Sequence, residues 1–243
     1  MNKLQSLCII TIFVTITGFS QSKSPLYLDA SQPVELRLED LMDRMTLEEK
    51  VYQMNQFVGL DHMRQAEKNL TEEELHSNDA QGFYKGLFSD DVAQMTKEGK
   101  IGSFLHVLTT EEANLLQELA LQSPLKIPIL IGIDAIHGNA LVSGTTVYPS
   151  PITLASTWSD SFLYDIGKQS AKEMRATGSH WAFTPNIDIL RDPRWGRVGE
   201  TFGEDPFMVG NMGAAMINGS DLSSILYFPN LKVFINIFNL LIY

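Results

Sequence analysis

Cysteine is almost absent: Cys8 is the only one in 243 residues, and it falls inside an apolar leader. A chain cleaved after that leader has no disulfide to staple it and no thiolate to act as a nucleophile. Positive charge is also scarce. Lys and Arg number 18 against 29 Asp and Glu, a net charge of −11, which argues against phosphate-rich partners such as nucleic acid and against anionic membrane surfaces. No G-x-G-x-x-G turn follows any apolar run, so the usual dinucleotide-binding fingerprint is missing. The apolar run of the leader, residues 7–19, is shorter than the ~20 residues needed to span a bilayer. What remains is ordinary for a globular protein. Apolar residues make up 44% and charged residues 19%, which leaves enough apolar surface to form a core and excludes intrinsic disorder.

The leader has three parts. Lys3 is its positive start, residues 7–19 its uncharged centre, and Gly18, Ser20 and Ser22 its small-residue end. This is the layout of a secretory signal peptide over residues 1–20, with cleavage expected near Ser20 or Gln21. A buried amino-terminal helix is the competing reading. Cys8 lies mid-run rather than at the cleavage point, so no lipid anchor is expected. The expected destination is the bacterial periplasm or exterior, where a cysteine-free domain is at no disadvantage.

Residues 21–33 read as a linker. Val34, Leu36, Leu38, Leu41, Met42 and Met45 then recur at helical spacing. Thr46 and Glu49 form a capping-box signature opening a second helix, whose apolar stripe continues through Val51, Met54 and Phe57. Residues 61–90 are polar and read as a surface insertion with short helices. Beyond Gly99 the texture changes. Residues 101–108 read as a strand, Thr109 or Thr110 caps a helix over 111–122, and 128–134 form a continuous apolar strand. Ser159 or Asp160 caps a helix running to about Thr177. Residues 181–190 read as the next strand, and Asp205-Pro206 opens another helix.

Strand alternating with helix predicts a parallel α/β fold. Without a phosphate turn the doubly wound sheet is the weaker option. A (β/α)8 TIM barrel fits better, because polar residues follow the strands: Asp134 and His137 after one, Asp188, Arg191 and Arg197 after the next. Three βα units can be counted, so only the first part of a barrel is expected, over residues 34–223. Residues 224–243 break the pattern. They are rich in Ile, Leu, Phe and Asn, with Lys232 as their one charge and Pro229 as an interruption. They read as an aberrant, β-prone tail from a shifted frame or a misread boundary.

Three segments are too particular to be packing alone: Leu41-Met42-Asp43-Arg44-Met45-Thr46-Leu47-Glu48-Glu49-Lys50-Val51, Gly132-Ile133-Asp134-Ala135-Ile136-His137-Gly138, and Arg191-Asp192-Pro193-Arg194-Trp195-Gly196-Arg197 followed by Glu200 and Gly203-Glu204-Asp205-Pro206. On residues alone, a carboxylate can accept from two sugar hydroxyls and a guanidinium can donate in a fixed fork. Gly132 and Gly138 suggest a place where a sugar could approach the backbone closely. The alternatives are structural ion pairs: one in the barrel mouth for Asp134, and one between Arg197 and Glu200, Glu204 or Asp205. His137, three residues after Asp134, has no third ligand at matching spacing, so a loop-ordering role is favoured over a metal. Glu200, Glu204 and Asp205 are explained by the start of the following helix, whose dipole favours acidic residues.

In this order and spacing the three segments resemble the amino-terminal domain of family 3 glycoside hydrolases, in its β-glucosidase-like branch, over about residues 34–222. The resemblance implies a TIM-barrel-type fold and hydrolysis of terminal non-reducing β-D-glucosyl residues from glucosides or oligosaccharides. It implies a retaining route with two carboxylates, no cofactor and no metal. It carries sugar contacts to Asp134, for outer hydroxyls, and to Arg197. It places the family's Asp nucleophile, in an S-D-W-like segment, and its acid/base beyond these residues. The Lys-His pair expected soon after Leu222 does not follow Ser223. Catalytic residues in this chain are therefore expected to be none. A non-catalytic sugar-binding protein and a truncated product without function are the competing readings.

Overall fold

The computed structural model describes residues 24–71, 73, 84 and 86–220. The expected signal peptide and the tail expected to be aberrant lie outside the described residues. Within the expected linker, a short 3-10 turn at Leu26–Leu28 buries Tyr27. Tyr27 packs with Leu38, Leu41, Met45 and Ile127, and its hydroxyl donates to Leu125 O at 2.9 Å. The first helix, α1 (Val34–Arg44), supplies Leu38 and Leu41 to that cluster. Its Arg37 Nε donates to Tyr27 O at 2.9 Å.

Helix α2 (Leu47–Tyr52) opens on the expected capping box. Glu49 N donates to Thr46 Oγ1 at 3.2 Å, and Thr46 N donates to Glu49 Oε2 at 2.8 Å. The apolar stripe expected to continue this helix does not. Val51 and Met54 are exposed, and Phe57 belongs to a strand, β1 (Gln56–Val58). The strand wins because its neighbour supplies a ladder: Gly102 N and Ser103 N both donate to Asn55 O. Helices α3 (Leu60–Asn69) and α4 (Ser89–Lys97) follow. The expected surface insertion, residues 61–90, is thus partly core, since Met63 and Ser89 are buried.

The remaining elements are β2 (Ser103–Leu105), α5 (Thr110–Ala120), β3 (Leu130–Ile133), α6 (Pro151–Ala155), α7 (Asp160–Ala176), β4 (Trp181–Ala182) and α8 (Pro206–Ser220). Three caps fall where the sequence places them. Glu112 N donates to Thr109 Oγ1, Phe162 N to Ser159 Oγ and Met208 N to Asp205 Oδ1. Strand β4 is much shorter than expected. Phe183 N still donates to Ile133 O, but Pro185 has no N–H to continue a ladder.

The four strands form one parallel sheet in the order β1-β2-β3-β4. Each strand therefore lies beside its successor in sequence, with helix between. There is no reversal of strand order of the kind that defines a doubly wound sheet. The described chain is α/β with four consecutive βα units of (β/α)8 TIM-barrel type, one more than the sequence pattern revealed. One core lies between the sheet and α3, α4 and α5, around Phe57, Phe104, Leu116 and Ile131. A second joins α6, α7 and α8 through Leu154, Leu163, Ile166, Val209, Met212 and Met216, with Phe202. No helix among the described residues is long and apolar enough to cross a membrane.

Candidate functional site

The carboxyl ends of parallel strands are where a barrel gathers its polar side chains. Strand β2 ends at Leu105 and β3 at Ile133, so His106 and Asp134 leave adjacent strands at the same edge of the sheet. His106 N donates to Gly132 O at 2.9 Å. The His106 backbone is left-handed, φ 56°, and its ring reaches the next strand, with Nε2 3.0 Å from Asp134 Oδ2. The Asp134 side chain is 41% exposed and that of His106 28%, so both can be reached from solvent.

After β4 the chain folds back on itself over residues 183–205. Asn186 pairs with Thr201 as an isolated parallel bridge. Thr201 Oγ1 donates to Asp188 O, and Leu190 N donates to Gly203 O at 3.0 Å. This loop carries Arg197. Its Nε and Nη2 both donate to Glu200 Oε2, at 2.9 and 2.6 Å, and Asn186 Nδ2 donates to the same oxygen at 2.8 Å. Arg197 remains 60% exposed. Glu200 raises its pKa above the usual guanidinium value, with smaller contributions from the charges of Asp134 and Asp188. Glu200 is held below the usual carboxylate range, chiefly by Arg197, with Asn186 and His137 among the smaller causes. Asp134, His137, Asp188, Arg197 and Glu200 thus share one electrostatic neighbourhood.

Each residue singled out from sequence can now be placed. Asp134 and Arg197 fall on the same face. The ion pair anticipated for Arg197 exists, with Glu200 as its partner, so Glu200 orients the arginine rather than serving a helix start. Asp205 does cap α8. His137 is tied to its own loop: Tyr148 N donates to His137 O at 2.9 Å, and His137 Nδ1 lies 3.1 Å from Tyr148 O.

The two glycines do not serve as expected. A Cβ on Gly132 would lie 2.6 Å from Phe183 Cε2, and one on Gly138 would lie 2.7 Å from Tyr148 Cδ2. Aromatic rings fill the space that had been assigned to a sugar's approach. Phe183 in turn packs against Trp181, ring centres 4.4 Å apart.

Three contributors were not anticipated. His106 is one. Glu112, buried in α5, accepts from Asp61 N at 2.9 Å and so ties the start of α3 to α5. Burial raises its pKa above the usual carboxylate range, with the charge of Asp61 adding to the rise. His180 is the third. Its N donates to Ile131 O at 2.8 Å, and its Nδ1 accepts from Ile131 N at 3.2 Å. Burial, with the nearby Arg175 charge, lowers its pKa to about 4.

The parallel strand order β1-β2-β3-β4, with Asp134 at the end of β3 and Arg197 in the loop after β4, is that of part of a (β/α)8 barrel, and comparison with known proteins agrees. Residues 46–235 match the glycosyl hydrolase family 3 N terminal domain. The chain is 29% identical over 180 residues to a periplasmic beta-glucosidase from Salmonella typhimurium, covering 73% of this chain and 20% of that protein. It is 37% identical over 127 residues to a beta-xylosidase from Formosa agariphila, covering 49% of this chain and 18% of that one. The structure of a Listeria innocua beta-glucosidase in complex with glucose superposes with a TM-score of 0.61 at 30% identity, over 82% of this chain and 26% of that one. This chain belongs to glycosyl hydrolase family 3 and carries a β-glucosidase-like part of its N-terminal domain. It spans about a fifth of the length of the Salmonella and Formosa relatives.

Proposed function

We propose that this chain is the sugar-holding part of an exported β-glucosidase-type hydrolase acting on terminal β-D-glucosyl residues of glucosides or oligosaccharides. The observation that carries the reading is the convergence of Asp134 and Arg197 on the carboxyl face of the sheet, each exposed and each oriented by a neighbour. An ionised carboxylate offers two oxygens to adjacent hydroxyls. Arg197 commits Nε and Nη2 to Glu200, which leaves the N–H groups of Nη1 to meet a sugar oxygen. In the retaining scheme of the resemblance, Asp134 and Arg197 fix the terminal sugar. A nucleophile and an acid/base carboxylate, roughly 5–5.5 Å apart and contributed from outside the described residues, would do the chemistry. No cofactor takes part. The leader over residues 1–20 directs export, in keeping with the periplasmic assignment in the name of the Salmonella relative.

The test is glucose affinity of the 243-residue chain. Asp134→Ala and Arg197→Ala should each weaken it by about tenfold or more, the value of a charge-assisted hydrogen bond. Arg194→Ala, in the same loop but paired only with Asp192, should leave it unchanged. The chain alone should not turn over an aryl β-glucoside. Turnover above a buffer blank that is lost in Asp134→Ala would show that the catalytic carboxylates lie within it.

A further inference from the structure

We infer that His106 is a positioning residue for the sugar site, donating its Nε2–H to Asp134 and fixing which carboxylate oxygen faces the ligand. The inference rests on the sugar-site reading of Asp134 given above.

Two independent observations carry it. The first is the contact itself. The His106 ring spans from the end of β2 to the end of β3 and places Nε2 3.0 Å from Asp134 Oδ2. An ionised carboxylate can only accept, so Nε2 must carry the proton. The second is the backbone. His106 adopts φ 56°, a conformation that costs a residue with a Cβ about 1 kcal/mol or more and that turns or functional sites retain. Here the left-handed residue ends β2 while its own N–H still serves Gly132 O. The turn thereby swings the imidazole toward β3 without giving up the ladder. Glycine would take this backbone more cheaply, but it carries no ring.

The consequence is an ordered pair. With Oδ2 engaged by His106, Oδ1 is the oxygen presented to a sugar hydroxyl, and the carboxylate plane cannot rotate freely. Arg197 is treated in the same way by Glu200, whose Oε2 is in turn held by Asn186. Both sugar-facing groups are thus held by a neighbour before any ligand arrives, which lowers the ordering cost of binding.

The experiment compares wild type with His106→Asn and His106→Gln. Asparagine tolerates left-handed backbone, so the fold should survive, but its side chain is too short to reach Asp134. Glutamine carries an amide nitrogen at the reach of Nε2. Thermal melts check that all three are folded. Glucose binding should weaken on the order of tenfold in His106→Asn and return most of the way in His106→Gln. In parallel, long-range proton–nitrogen NMR of the imidazole in mildly alkaline solution should show His106 as the Nε2–H tautomer, and Asp134→Asn should abolish that preference. Equal glucose affinity in all three proteins would overturn the inference, as would an Nδ1–H tautomer in wild type. If wild type itself bound no glucose, the sugar-site reading would fail, and the sugar-holding role of His106 with it. The tautomer would then still report whether the His106–Asp134 hydrogen bond exists, so the two failures are told apart.

Discussion

Protonating His180 should unfold this protein more readily. Its imidazole is buried beside Arg175, which lowers its pKa from 6.5 to about 4. Its Nδ1 lone pair is already taken by Ile131 N–H at 3.2 Å, so a proton there would also break that side-chain link to β3. In the unfolded chain the group titrates near 6.5. Between the two values the unfolded state binds more protons than the folded one, so stability rises with pH across that window. The contribution is complete above about pH 6.5, falls as pH drops toward 4, and levels off below. A separation of about 2.5 units at ~1.36 kcal/mol each sets the full loss at about 3.4 kcal/mol, most of it between pH 6.5 and 4. The assay is denaturant unfolding as a function of pH for wild type and His180→Asn, whose Oδ1 can take the place of Nδ1 as acceptor without titrating. Carboxylates titrate in both proteins and cancel in the difference. Wild type should lose up to about 3 kcal/mol relative to the variant between pH 6.5 and 4. Parallel profiles would refute the reasoning.

Three further outcomes follow from packing and capping. Gly132→Ala should cost about 1–3 kcal/mol, because its Cβ would sit 2.6 Å from the Phe183 ring that already packs on Trp181; an unchanged denaturant midpoint would show that the ring moves freely. Leu116→Ala should cost about 2–5 kcal/mol, since Leu116 is fully buried against the sheet, and a thermal melt reads the loss. Thr46→Ala should cost about 1 kcal/mol by removing one half of the capping box, a smaller loss seen in the same assay.

The long, capped helices were legible in the sequence because their signals are local. Thr109, Ser159 and Asp205 each mark a start, and the leucines of α5 fall on one face. Strand β3 was legible as a continuous apolar run because Ile131, Gly132 and Ile133 are all buried. Strand β1 was not: three residues give no period, and Phe57 extends the spacing of the preceding helix by coincidence. The five-residue α6 carried only a Ser150-Pro151 signal. Strand β4 was overestimated because the missing N–H of Pro185 was given too little weight against an apolar run. In the proposed site, Asp134 and Arg197 came from the family resemblance of the segments that carry them. Glu200 was legible only as one of several partners, at i+3 from Arg197. His106 was invisible because it sits inside a run, Phe104-Leu105-His106-Val107-Leu108, that reads as uninterrupted strand. Only the left-handed backbone reveals that the strand ends there and the ring turns toward Asp134.

The proposed sugar site lies on the carboxyl face of the sheet, between Asp134 and Arg197. Amide NMR of the 243-residue chain titrated with glucose tests it most directly. Saturable shifts are expected at Asp134, His137, Asp188, Arg197 and Glu200, and none at α1, where Asp40 pairs with Arg44 and accepts from Tyr27 N. Shifts confined to residues away from that face, or none up to high glucose concentration, would contradict it.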